Sequence, residues 1–157
     1  MSDAAPPVLD MARVIAYAIL DQSVQWTGRQ KLLVDGKEMG PVPRIALCQN
    51  LSGDLHDILL FHCDDEWNVL ACSGGKTIED AKASAERAYK GISAKWVDTN
   101  VTEDEAKACI VENCRDMSCS FCDRLPSDFK RLIESKSDGR ICNYCIDKDY
   151  ASIHTQR

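Results

Sequence analysis

Four cysteines near the C-terminus stand in two pairs, Cys119-Ser-Phe-Cys122 and Cys142-Asn-Tyr-Cys145, with 19 residues between them. A CxxC turn presents two thiolates to one side of a metal ion, and two such turns complete the tetrahedron that Zn²⁺ prefers. The spacing is a zinc signature. Four bound sulfurs leave no coordination position open to water, so the predicted site is structural and not hydrolytic. A redox CxxC or a set of unrelated buried cysteines would explain one pair, but not two at this separation. One structural zinc per chain is expected, held by Cys119, Cys122, Cys142 and Cys145.

The rest of the chain offers little further chemistry. His56, His62 and His154 are isolated, and no nucleophile, base and orienting group can be assembled around them. Asp64-Asp65-Glu66 is expected to be a solvated hairpin turn before a cation site. Cys72-Ser-Gly-Gly-Lys-Thr77 has Leu70 where a phosphate-binding loop needs its first glycine, so Gly74-Gly75 is expected to turn a strand into a helix. Cys109, Cys114 and Cys119 recur every five residues, a spacing that does not stack them on one helical face. No catalytic residue is assigned, and a non-enzymatic protein is expected.

Composition bounds the setting. The 157 residues carry net charge −6 and are 45% hydrophobic, which is globular in kind. Residues 1–115 hold 12 Lys/Arg against 18 Asp/Glu, and residues 116–157 hold 7 of each. The acidic balance makes nucleic acid an unlikely partner. Nine cysteines, an odd number, follow an N-terminus without a basic leader. That combination disfavours a disulfide scaffold and suggests a cytoplasmic protein with reduced thiols. The apolar run from Val8 to Leu20 is too short to span a membrane.

The elements that must position the cysteines can be sketched from periodicity. A tail at 1–7 precedes Val8 to about Gln25, where apolar residues at helical spacing predict a helix. Lys31–Val34 and Arg44–Cys48 read as short strands, and Asn50 to Asp54 as a loop. Ile58–Cys63 and Trp67–Cys72 read as a hairpin. Thr77 caps a helix that Gly91 stops, Ser93–Val97 reads as a strand, and Thr102 with Glu105 opens a helix to about Asn113. Trp26, Trp67 and Trp96 are expected to anchor the first domain's core. The predicted class is α+β: a small, mostly antiparallel sheet flanked by helices over residues 8–100, a connecting helix at 101–115 and the zinc module at 116–157. Within the module, Pro126-Ser127-Asp128 reads as a helix start, with Phe129, Leu132 and Ile133 as its apolar stripe. Asp138-Gly139 reads as a turn. A helix after Cys145 places Ile146, Tyr150 and Ile153 on one face.

At these residues the sequence resembles a known family. Cys119-Ser-Phe-Cys122, Phe129-Lys-Arg-Leu-Ile133 and Arg140-Ile-Cys-Asn-Tyr-Cys-Ile146 together resemble the zinc-binding domain at the N-terminus of the ClpX unfoldase, over about residues 117–153. Asp123 stands where that family has glycine, and the span between the pairs is about one residue longer. The resemblance implies a treble-clef-like module that dimerises through apolar surface and docks adaptor or substrate proteins. By the same analogy Phe121, Phe129, Leu132, Ile133, Ile141 and Tyr144 are candidate contact residues, unless they form the module's small core. No ATPase region follows before Arg157, so the expectation is an unfoldase-like recognition module without its motor. The functional expectation is an adaptor-like or regulatory protein-interaction module, with a homodimer and protein partners. The alternative is a nucleic-acid-binding regulator using Arg124, Lys130, Arg131, Lys136 and Arg140 beside Phe121, Phe129 and Tyr144.

Overall fold

The computed structural model describes residues 3–51, 57–114, 117–125, 128–137 and 139–154. In chain order the elements are β1 (Val8–Leu9), β2 (Ala12–Ile19), β3 (Gln25–Trp26), β4 (Leu33–Val34), β5 (Lys37–Glu38), β6 (Arg44–Asn50), β7 (Ile58–Cys63) and β8 (Val69–Gly75). Helix α1 (Ile78–Ala88), β9 (Tyr89–Lys90), a 3₁₀ turn at Ile92–Ala94, β10 (Val97–Asp98) and α2 (Glu103–Asn113) follow. The cysteine-rich end contains β11 (Leu132–Glu134), β12 (Arg140–Cys142) and α3 (Asn143–His154). The fold class is α+β, as expected.

The main sheet is antiparallel, ordered β1-β2-β6-β7-β8, with β10 also pairing with β2. The expected helix over Val8 to Gln25 is absent; the segment forms β1, β2 and β3. Apolar residues at helical spacing misled because β2 is covered on both faces. Ala16 and Ala18 join the cluster of Ile45, Leu47, Leu60 and Ile92 under α1. Ala12 and Val14 join Cys48, Phe61 and Trp67 on the other side. Two-sided burial removes the alternation that marks a strand. A register shift between Val14 and Ala16 adds to the confusion.

Helix α1 starts where expected. The Thr77 hydroxyl accepts the Asp80 N–H at 3.1 Å, and Ala81, Ala85 and Ala88 face the sheet. Small residues allow a close approach: a Cβ on Gly75 would lie 3.0 Å from the Ala81 nitrogen. Gly91 then turns the chain at φ 96°, and the Glu86 carboxylate accepts the N–H groups of Gly91 (2.8 Å) and Ser93 (3.0 Å). The strand expected over Ser93–Val97 shrinks to Val97–Asp98 because buried Ile92 winds the chain into the 3₁₀ turn. At α2 the capping box is complete. Glu105 accepts from the Thr102 N–H at 2.8 Å, and Thr102 accepts from the Glu105 N–H at 3.2 Å. Ala106 and Ile110 of α2 pack with Leu51, Val8 and Met11.

The β7–β8 hairpin and its acidic turn stand as expected. Asp64 Oδ1 accepts the Glu66 and Asn68 N–H groups at 2.8 and 2.9 Å, so this carboxylate builds the turn. Trp67 is buried and Trp96 packs against the α1-side core, whereas Trp26 is 36% exposed and joins none of the buried clusters among the described residues. Among the described residues no helix is long and apolar enough to cross a membrane.

Candidate metal centre

Each ligand is delivered by a short element. Cys119 and Cys122 sit in a knuckle closed by Cys119 N–H to the Arg124 carbonyl (2.9 Å) and Asp123 N–H to the Cys119 carbonyl (2.9 Å). Asp123 takes the left-handed conformation, φ 56°. That conformation suits glycine best and tolerates Asp and Asn. Cys142 ends β12, and Cys145 lies in the first turn of α3. The positive end of the helix dipole therefore faces the thiolates.

The helix expected from Phe129 to Ile133 is replaced by β11, paired to β12 with Leu132 opposite Cys142, Ile133 opposite Ile141 and Glu134 opposite Arg140. The proposed start at Pro126-Ser127 and the turn at Asp138 lie outside the described residues, as do Ser52 to His56. Asn143 explains the change. Its side-chain oxygen accepts the N–H groups of Lys130 (2.9 Å) and Arg131 (3.2 Å), and its own N–H donates to the Arg131 carbonyl (3.0 Å). The first turn of a helix there would compete for those same groups. Sequence reasoning passed over Asn143; its signal was an amide residue at a helix start. It also passed over Ser120, whose hydroxyl accepts the Arg140 N–H at 3.0 Å and ties the knuckle to the hairpin.

The four sulfurs converge. All lie within 4.8 Å of one another, with Cys119 and Cys145 3.9 Å apart and Cys122 and Cys142 3.7 Å apart. A tetrahedron with Zn–S near ~2.3 Å requires S···S distances of about 3.8 Å. The 3.9 and 3.7 Å separations match that value, and the four-thiolate donor set fits zinc. Electrostatics agree. Burial alone would raise the Cys119 thiol, but N–H groups of Cys142, Phe121 and Cys122 aimed at its sulfur hold it down to about 6. Cys145 is pushed up to about 12, first by its hydrogen bond to Cys122 and then by burial. Sulfurs this close cannot all ionise unless a cation joins them. Outside the cluster, Arg124 Nη1 donates to Cys122 Sγ at 3.3 Å while its guanidinium lies 5.1 Å over the Tyr144 ring. The Cys142 N–H donates to Cys119 Sγ at 3.3 Å. Such outer contacts hold ligands in their thiolate form.

The remaining cysteines do not enter this centre. Cys114 lies 3.3 Å from the Met11 sulfur. Cys48 and Cys63 are buried in the sheet, where loss of hydration raises both thiols, Cys63 to about 12. His62 is buried within β7, and the His154 side chain lies outside the description.

The candidate contact residues separate by strand parity. Leu132 and Cys142 share the zinc side of the hairpin; Ile133 and Ile141 point to the other side. Ile133 is 58% exposed, Phe121 69% and Tyr144 46%. Phe121 borders two clefts. One, of about 320 Å³, is walled by Ile133, Ile141 and Arg140. The other, of about 470 Å³, is walled by Tyr144, Arg124 and Lys148. Phe129 and Leu132 are half-buried and border neither cleft.

Compared with known families, residues 117–154 match the model of the ClpX C4-type zinc finger. The matched segment contains all four ligands, the β11–β12 hairpin and α3. Comparisons with curated proteins and with solved structures match nothing. The chain thus carries one structural zinc in a ClpX-type finger.

Proposed function

We propose that the finger is a protein-docking surface, used for self-association and for binding a partner in an adaptor-like or regulatory, non-enzymatic, cytoplasmic role. The observation that carries this reading is the outward display of Phe121, Ile133 and Tyr144 around a metal-held core. Zinc supplies the stability that apolar burial supplies elsewhere, so these side chains are free to face a partner. Exposed aromatics on the knuckle and α3 beside a branched aliphatic on the hairpin have the composition of an interface centre. The family match supports the reading, because it covers the segment that presents them.

Nucleic acid fares less well. Arg124 is committed to Cys122 and Tyr144, and Arg140 donates to the Ser118 carbonyl at 3.3 Å. Two of the five finger cations invoked for that alternative are therefore already engaged. The test is sedimentation equilibrium of the zinc-loaded full chain against Phe121→Ser/Ile133→Ser. The wild type is expected to self-associate and the double variant to be monomeric with its zinc retained. Equal association in both proteins would remove the finger as the interface.

A further inference from the structure

We propose that the first domain carries an oxyanion site, specific for a phosphoryl group, in the cleft between the Thr27–Gln30 loop and the last turns of α1. The cleft, of about 280 Å³, is lined by Arg29, Gln30, Ser84 and Arg87. All four side chains are hydrogen-bond donors and none is a carboxylate. Such a lining stands out in a region where Asp and Glu outnumber Lys and Arg.

The two arginines come from distant parts of the sequence and are brought together by a pinned loop. The Thr27 N–H donates to the Ala88 carbonyl at 2.9 Å, and the Thr27 hydroxyl donates to the Arg87 carbonyl at 2.6 Å. Beside these bonds, β3 pairs with β9 through Gln25 with Lys90 and Trp26 with Tyr89. Gly28 provides the left-handed residue of the loop, φ 67°, and the Arg29 N–H closes back on the Thr27 hydroxyl at 3.3 Å. Arg29 is therefore held beside the end of α1, where Arg87 lies in the last turn.

Neither guanidinium has an ion-pair partner among the described residues. The nearest helical acid, Glu86, is occupied by Gly91 and Ser93. The positions one turn before and after Arg87, Ala83 and Gly91, offer no carboxylate. Two like charges that line one cleft, with no ion-pair partner among the described residues, gain most from a shared anion. Planar guanidinium forks match the tetrahedral oxygens of a phosphoryl group. The Ser84 hydroxyl and the Gln30 amide NH₂ are neutral donors, and Gln30 Oε1, buried without a partner among the described residues, can accept from a protonated phosphate oxygen. The cleft is open to solvent on one side, which suits phosphate itself or a phosphoryl group on a small molecule.

This site is independent of the finger, and its test is separate. Zinc-loaded full chain labelled with ¹⁵N is titrated at constant ionic strength with inorganic phosphate, and in a second arm with O-phosphoserine. Saturable shifts are expected at the amides of Arg29, Gln30, Ser84 and Arg87. Arg29→Gln and Arg87→Gln should each weaken binding about tenfold or more, since each removes charge-assisted bonds. Arg87→Lys should fall between, keeping the charge and losing the fork. Tighter binding of phosphoserine assigns the site to phosphorylated organic molecules, and equal binding assigns it to the free ion. Both arginines are exposed, so the variants should keep the wild-type spectrum elsewhere. Non-saturating shifts in both arms would overturn the proposal. So would wild-type affinity in the two glutamine variants.

Discussion

Lowering the pH should destabilise the sheet domain through one residue, His62. It is fully buried in β7. Its Nδ1 has no hydrogen-bond partner in the described protein, and its Nε2 lies 3.4 Å from the Ser73 hydroxyl. No carboxylate compensates a charge there, and loss of hydration pulls its pKa from 6.5 down to about 4. The sign follows directly. As pH falls, the unfolded chain binds this proton near 6.5 and the folded chain only near 4. Stability is therefore complete above pH 6.5, falls between 6.5 and 4, and changes no further below 4 on this account. At about 1.4 kcal/mol per pH unit the loss comes to about 3 kcal/mol, a large part of the ~5–15 kcal/mol that holds a domain together. All three tryptophans precede the finger, so their fluorescence in urea melts reports the sheet domain even when acid strips the zinc. Melts at pH 7, 5.5 and 4 should show a steeper fall in wild type than in His62→Leu, the difference being the His62 contribution. Carboxylates with lowered pKa values, such as Glu86 held by Gly91 and Ser93, also lose stability in acid but act equally in both proteins. A variant whose stability falls as steeply as wild type would refute the assignment to His62.

Two further outcomes concern the finger. Chelation of zinc, or Cys142→Ser, should unfold residues 117–154 while leaving the sheet folded. Circular dichroism should lose the α3 signal while tryptophan fluorescence is unchanged. Asp123→Gly should stabilise the zinc-loaded finger by about 0.5–1 kcal/mol, because glycine carries no side-chain penalty at positive φ; thermal melts of the full chain followed at α3 measure it.

What was legible in the sequence was what is settled locally. A CxxC pair fixes its own sulfur geometry, and a Thr three residues before a carboxylate fixes its own cap, so the ligands and both helix starts could be read directly. Strand β2 could not. Its face is decided by β6 and β10 on its two edges and by the layers above and below, none of which lies nearby in sequence. Leu132 and Ile133 carry a stripe that serves a helix or a strand equally well. The choice between them is made by Cys142, fixed by zinc, and by Asn143, which takes the Lys130 and Arg131 N–H groups. Arg29 and Arg87 were invisible as a pair for the same reason: only the folded Thr27 loop makes them neighbours.

The finger's exposed side chains follow from how it is held together. In a domain stabilised by burial, the largest apolar residues go inside, as Ile45, Leu47 and Leu60 do in the sheet. In the finger the only fully buried positions among the described residues are two zinc ligands, Cys119 and Cys142. Four metal–sulfur bonds do there what a core of ten or so side chains does elsewhere. Phe121, Ile133 and Tyr144 are thus not left outside by poor packing; the fold does not need them inside. Their apolar surface stays in water until a partner covers it. A metal-held knuckle, hairpin and helix present them in one geometry, which lowers the entropy lost when a partner covers them. That combination is what the proposed docking role draws on, beside the exposed Tyr150 and Ile153 of α3.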